Sequence, residues 1–269
     1  MNLSKLCFGC EALGGTDWGD YSLNEIEYAI KESLNLGINF FDTAGVYGLG
    51  LSEKRLSRIL GNKRKDVVIA TKGGLSWANK NENIRSKVFK NSSRKAIKED
   101  VIKSLRRLDL DYLPIFYIHW PDLNTPFYES FDQLESMRKD GLIKYIGCSN
   151  FNLSQLQEIT KFSTIEYLQI PLNIINLESQ REIMNFCQSM NIKVIAYNVL
   201  FSGLLSGKYN KNSIFKANDR RSRLKEFSKE KIEKSLADIQ IHQVKAKKLN
   251  KSLLQYSIKK ILEEKSVQS

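Results

Sequence analysis

The sequence predicts an α/β protein built as a parallel (β/α) barrel of TIM type, and three observations carry that expectation. Seven short runs rich in Ile, Val, Phe and Tyr recur along the 269 residues, segments of helical period separate them, and no hairpin signal joins neighbouring runs. Strands that alternate with helices in this way are parallel, because each crossover returns the chain to the same end of the sheet. An open doubly wound sheet would carry a G-x-G-x-x-G turn after its first strand, which Gly9, Gly14 and Gly15 do not form.

The strands are expected at Lys5–Phe8, Ile38–Phe41, Val67–Thr71, Pro114–Ile118, Lys144–Cys148, Ile165–Ile170 and Lys193–Tyr197. Ile26, Ile30 and Leu34 make one apolar stripe of a helix after the first strand. That helix opens with Ser22-x-x-Glu25, a spacing in which hydroxyl and carboxylate can each satisfy an orphan backbone N–H. Ile97, Val101, Leu105 and Leu108 mark a helix before the fourth strand, and Ile183, Phe186, Cys187 and Met190 one before the seventh. No linker or repeat divides these units, so residues 1–269 are expected to form a single barrel domain. Within it, residues 205–269 form a basic, partly helical C-terminal segment.

With 42% hydrophobic and 10% aromatic residues, the chain can bury one large core, which excludes a disordered protein or a disulfide-stapled miniature. Four cysteines suit a reducing compartment. Cys7-Phe8-Gly9-Cys10 has CxxC spacing but no second pair, so reduced thiols and no metal are expected. No run of about 18 apolar residues exists, and the start lacks the layout of a signal peptide. A cytoplasmic protein without membrane contact is therefore expected. Of the net charge of +12, +10 lies in residues 205–269. No nucleic-acid motif accompanies it, so it reads as a solvated face and not as a nucleic-acid site.

The polar residues at the strand ends point to chemistry. Asp42, Lys72 and His119 each follow the C-terminal end of an expected strand, and Tyr47 lies in the glycine-rich loop just after Asp42. In a parallel barrel those ends share the rim where active sites form. Singly, each residue has an ordinary reading as a surface charge, a cap or satisfied core. Together they form a unit able to protonate a carbonyl oxygen. A free phenol titrates near ~10, and an adjacent ammonium lowers that value, so Lys72 is expected to activate Tyr47. Asp42 would keep Lys72 charged, and His119 would align the substrate oxygen.

These segments resemble the aldo-keto reductase superfamily. Phe41-Asp42-Thr43-Ala44 with Tyr47-Gly48 and Ser52-Glu53, then Thr71-Lys72, then Ile118-His119-Trp120-Pro121, are similar to the motifs that hold its Asp–Tyr–Lys–His tetrad. Gly147-Cys148-Ser149-Asn150-Phe151, Gln169, and Ile195-Ala196-Tyr197 through Ser202-Gly203 to Lys208-Tyr209 look like its cofactor-binding segments. The resemblance implies an NAD(P)H-dependent reductase of aldehydes and ketones, with NADPH as cofactor and NADH as the alternative, acting on a small carbonyl substrate. It also implies that Ser149, Asn150 and Gln169 hold the nicotinamide carboxamide and that Tyr197 stacks on its ring. Asn198, Leu200, Gly203 and Lys208 would lie along the rest of the cofactor, and Trp120 would wall the substrate pocket.

Two departures accompany the resemblance. Asn198-Val199-Leu200 stands where the family commonly has Ser-Pro-Leu, and the sequence stops after Lys265-Ser266-Val267-Gln268-Ser269, where the family enters its eighth strand. The expected barrel is therefore incomplete, lacking the usual eighth strand and final helix, with unpaired edges on the first and seventh strands. Rearrangement of the basic segment, a homodimer or another partner would cover the gap. A rival expectation follows: a binding or regulatory protein on a reductase scaffold, with poor cofactor affinity because the C-terminal phosphate loop is absent.

Overall fold

The computed structural model describes residues 2–78 and 87–269. Its strands are β1 (Cys7–Gly9), β2 (Phe40–Asp42), β3 (Val68–Gly73), β4 (Leu75–Trp77), β5 (Val88–Lys90), β6 (Leu113–Ile118), β7 (Ile143–Ser149), β8 (Tyr167–Pro171) and β9 (Lys193–Tyr197). The helices are α1 (Leu23–Asn35), α2 (Leu51–Leu60), α3 (Arg94–Leu108), α4 (Phe127–Lys139), α5 (Leu153–Ile159), α6 (Arg181–Ser189), α7 (Ile232–Lys248) and α8 (Leu253–Leu262). All seven expected strands are present and parallel, in the order β1-β2-β3-β6-β7-β8-β9. The chain therefore forms a curled parallel sheet wrapped by helices, a (β/α) barrel that is incomplete.

Side-chain alternation along the strands creates two apolar layers. Phe40, Val68, Ala70, Ile115, Tyr117, Tyr167 and Ile195 fill the inside of the sheet. Their neighbours Phe41, Ile69, Phe116, Ile118, Leu168 and Val194 face outward into the larger core beneath the helices. A one-residue slip would exchange the layers, so the pattern fixes the register. It pairs Gly9 with Asp42, Lys72 with Tyr117 and Ser149 with Gln169, which brings the polar strand ends to one rim.

Local structure adds to the sequence reading in several places. Ser22 Oγ accepts the Glu25 N–H at 3.3 Å, so the hydroxyl half of the expected capping box forms. Met190 lies beyond the end of α6 and is exposed, because the helix stops before its stripe is complete. The antiparallel hairpin of β4 and β5 was not expected. Residues 79–86 of its connection lie outside the described residues. The four cysteines are free thiols.

At the far edge of the sheet one of the expected covers is found, a rearrangement of the C-terminal segment. No full eighth strand forms among the described residues, yet the edge of β9 is not left bare. The Val194 N–H donates to Ser266 O (2.9 Å), the Gln268 N–H to Val194 O (2.8 Å) and the Ala196 N–H to Ser269 O (2.8 Å). Val194 and Val267 form a parallel bridge, and Val267 is buried. Both halves of a capping box, Ser252 with Gln255, start α8 and aim the chain at this edge. The barrel wall nevertheless stays open between this segment and β1. Ser269 Oγ donates to Lys5 O at 3.2 Å, and beside that contact lies a largely apolar cavity of about 460 Å³ lined by Leu6, Cys7, Leu200, Ile258 and Ile261 among others.

The basic segment is organised by its own apolar residues. Leu204, Leu205, Ile239 and Leu253 make a separate buried cluster that holds α7 and α8 against residues 200–209. If residues 266–269 protect β9, Val267→Asp, which buries an unpaired carboxylate, should speed amide exchange at Val194 and Ala196 by roughly tenfold or more. Exchange at Phe116 in β6 should barely change. Equal protection of Val194 in both proteins would show that the pairing is not formed.

Candidate active site

The rim loops owe their shape to residues that tolerate positive φ. Between β2 and α2 the chain passes through Gly48 (φ 58°), Leu49 (φ 54°) and Gly50 (φ 98°). This compact turn carries Tyr47. Its backbone presses on the loop after β1, and a methyl group on Gly48 would lie 2.2 Å from Gly14 O. Ser52 adds a buried tie, with Oγ 2.7 Å from Cys10 O and 2.9 Å from Thr43 Oγ1.

Four expected residues meet inside this frame. Lys72 Nζ donates to Asp42 Oδ1 (2.5 Å) and Thr43 O (2.8 Å), and lies 3.4 Å from Tyr47 Oη. The Lys72 ammonium is also 5.1 Å from the Tyr47 ring centre. The Tyr47 and His119 rings stand edge to face with centres 5.9 Å apart. Asp42, Lys72 and His119 are buried. His119 Nδ1 has no hydrogen-bond partner, while the His119 backbone N–H is fixed on Gly73 O at 2.9 Å.

Burial decides the electrostatics here. It acts to lower the Lys72 pKa, but the Asp42 carboxylate outweighs it and leaves the ammonium above its ordinary range. The expected depression of Tyr47 is not found. Burial raises the phenol, and the opposing pull of Lys72 only partly offsets it. Tyr47 therefore rests as a neutral acid. His119 is pushed well below its usual value by burial and then by the Lys72 charge, so its imidazole is neutral.

The residues expected to hold a nicotinamide lie on the same rim and are already linked. Gln169 Nε2 donates to Asp42 Oδ2 at 2.9 Å, and Ser149 Oγ donates to Gln169 Oε1 at 3.4 Å. Asn150, at φ 65°, donates to His119 O (3.0 Å) and Ser149 Oγ (3.1 Å), and accepts Tyr197 Oη (2.7 Å). Gln169 keeps one N–H and one lone pair for a further partner, a combination that suits a carboxamide. Trp120 is exposed at the mouth with Lys90 Nζ 5.8 Å from its ring centre.

After β9 the backbone makes a tight turn with Asn198 (φ 54°), Phe201 (φ 49°), Ser202 (φ 54°) and Gly203 (φ 100°) in the left-handed region. Asn198 Oδ1 stabilises it by accepting the Ser202 N–H at 2.6 Å, and the Leu200 carbonyl accepts the Gly203 N–H at 2.9 Å. Asn198, standing where the family commonly has serine, thus supports a turn in which Val199 replaces the usual proline. Lys208 is exposed farther along.

The arginines beyond it form a clasp instead of a solvated loop. Arg220 pairs with Glu11 (2.9 Å), Arg223 with Asp17 (2.5 Å), and Arg221 with Asp219 and Tyr209. Trp18 bridges Asp219 through its backbone, and its ring lies 5.7 Å from both Arg220 and Arg221. Neither Trp18 nor Glu11 was singled out from sequence. Their partners are some 200 residues away, and the only local signal was an aromatic and an acid in the loop after the first strand.

A parallel barrel with a carboxylate, ammonium, phenol and neutral imidazole converging at its carboxyl rim is the architecture of a nicotinamide-dependent carbonyl oxidoreductase. The chain belongs to the aldo/keto reductase family, whose sequence profile matches residues 5–269. Aldo-keto reductase YhdN of Bacillus subtilis is 29% identical over 267 residues, covering 98% of this chain and 79% of that protein. NADH-specific methylglyoxal reductase of Escherichia coli is 31% identical over 217 residues, 77% of this chain and 67% of that protein. The glycerol dehydrogenase AKR11B4 of Gluconobacter oxydans superposes with a TM-score of 0.89 at 35% identity, over 98% of this chain and 81% of that one. The protein is an NAD(P)H-dependent oxidoreductase of the aldo-keto reductase type.

Asp100 supplies a test of the electrostatics under the rim. Burial pushes its carboxyl up to about 6, against the opposing Gly74 N–H, which donates to Oδ2 at 2.9 Å. A carboxyl raised in the fold contributes stability below its unfolded value of ~4 and loses it as pH rises through the folded value. Asp100→Asn should therefore gain stability relative to the parent between pH 4.5 and 7.5, by roughly 1–2 kcal/mol in urea denaturation. A difference that does not change with pH would refute a raised Asp100.

Proposed function

We propose that the chain reduces small carbonyl compounds with Tyr47 as the proton donor. The observation that carries this reading is the Lys72 ammonium held between Asp42 at 2.5 Å and Tyr47 at 3.4 Å. When bound, the nicotinamide supplies the hydride that reaches the carbonyl carbon. As that happens the carbonyl oxygen becomes alkoxide-like, a far stronger base than phenolate, and draws the proton from Tyr47 Oη. The phenolate left behind forms beside an ammonium already in place, so little reorganisation is needed. A phenol with a raised pKa suits this step, because the proton stays on the oxygen until the substrate demands it. Neutral His119 can donate one hydrogen bond to the same oxygen, which orients the carbonyl without adding a second charge.

The residues present fit the nicotinamide end of the cofactor. Gln169 has unused hydrogen-bonding capacity beside the tetrad, Ser149 and Asn150 adjoin it, and the Tyr197 ring offers an apolar face. Asn198, Leu200 and Gly203 would follow the pyrophosphate through the left-handed turn. The cofactor is read as NADPH, with NADH as the alternative; engaging its 2′-phosphate would require Arg220, Arg221 or Arg223 to exchange a carboxylate partner, or exposed Lys208 to reach it. The methylglyoxal reductase and glycerol dehydrogenase relatives favour a short, oxygen-rich substrate beside Trp120.

The closed clasp also favours a second reading, a binding or regulatory protein with weak cofactor affinity. Fluorescence titration with NADPH and NADH separates the two, since saturable binding of either is expected of the reductase and no detectable binding of both supports the scaffold. Tyr47→Phe should lower kcat for methylglyoxal reduction by roughly a thousandfold or more while cofactor affinity stays within about threefold. Turnover at the parent rate would remove Tyr47 from the mechanism.

A further inference from the structure

A second buried ion pair lies behind the tetrad, on the outer face of the sheet, and takes no part in the proton transfer just described. Glu53 of α2 is wholly buried. Its Oε2 accepts Arg107 Nε of α3 at 2.5 Å, and its Oε1 accepts Thr71 Oγ1 of β3 at 2.6 Å. Thr71 is the residue before Lys72, and Glu53 follows Ser52, which anchors Thr43. One carboxylate therefore joins the strand that carries the ammonium to the helix that ends the Tyr47 loop.

Arg107 extends this connection under the loop. A methyl group at Gly50 would lie 2.7 Å from Arg107 Cδ, and one at Gly45 would lie 3.1 Å from Nη2. The guanidinium stem is thus a floor on which the turn bearing Tyr47 rests. Buried ion pairs are weak sources of stability, because desolvation cancels much of their attraction, so a well-packed apolar pair could support the fold equally well. What a planar, charged pair adds is direction.

We propose that Glu53 and Arg107 are positioning residues that set the approach of Tyr47 to Lys72. The proposal rests on Tyr47 being the proton donor. A shift of about an ångström in a reacting group can cost on the order of a hundredfold in rate, and the 3.4 Å Tyr47–Lys72 separation leaves a loosened loop little tolerance.

Arg107→Lys tests this, because it keeps the charge opposite Glu53 but removes the flat floor beneath Gly45 and Gly50. Expected are a kcat for methylglyoxal reduction lower by roughly ten- to a hundredfold and a nicotinamide Kd within about twofold of the parent. The melting temperature should fall by no more than about 3 °C. The double variant Glu53→Met, Arg107→Met serves where the lysine variant folds poorly, and it should show the same split between kcat and Kd. A kcat within about twofold of the parent in a folded variant overturns the proposal, as does a parallel loss of kcat, cofactor binding and melting temperature, which marks a purely structural pair. If the parent itself does not turn over, or Tyr47→Phe retains full activity, the functional reading fails and this inference with it. An active parent with an unaffected Arg107→Lys sinks the inference alone.

Discussion

The need to keep one ammonium charged inside a barrel governs the architecture of the rim. Lys72 is almost completely buried, an environment that favours a neutral amine. Asp42 reverses that preference at 2.5 Å, and the Thr43 carbonyl accepts a second N–H of the ammonium at 2.8 Å. Gln169 then holds the other oxygen of Asp42, so the carboxylate cannot turn away from the lysine. The same hydrogen bond joins the Asp42–Lys72 pair to Gln169 and, through it, to Ser149. Burial keeps the phenol and the imidazole around this cation neutral.

Around the charged centre two loops meet through close backbone contact. Gly14 and Gly48 bring two loops together so tightly that neither position has room for a methyl group. On the other side of the mouth, the clasp of Trp18, Arg220 and Arg223 reaches from the loop after β1 to the segment after β9. Carboxylates line that reach. Burial raises the Glu11 carboxyl in spite of the opposing charge of Arg220, so its pairing lies in a partly desolvated setting.

Much of this was legible in the sequence because period and position carry it. Alternation of Phe40, Phe41 and Asp42 tells which side chains face inward, and strand ends in a parallel barrel all point one way. The tetrad was therefore readable from four separate stretches. The electrostatic balance was not, since the rule that an ammonium lowers a phenol is local, whereas the burial that overrides it at Tyr47 belongs to the whole assembly. The pairing of Arg107 with Glu53 was equally hidden, because on its own helix Arg107 reads as one of two basic residues in the last turn of α3. Pairing of residues 266–269 with β9 was legible only as one of several covers for the open edge, because four residues are too few to show a strand period.

That short pairing bears on how the molecule assembles. The contact between Lys5 and Ser269 joins positions 264 residues apart. Chain entropy makes such a contact slow to find, so the remaining strands can zip together from neighbour to neighbour before it forms. The wall beside β1 is then a late seam, and thermal breathing would begin there while the lysine and its carboxylate, on the opposite side of β1, stay sealed.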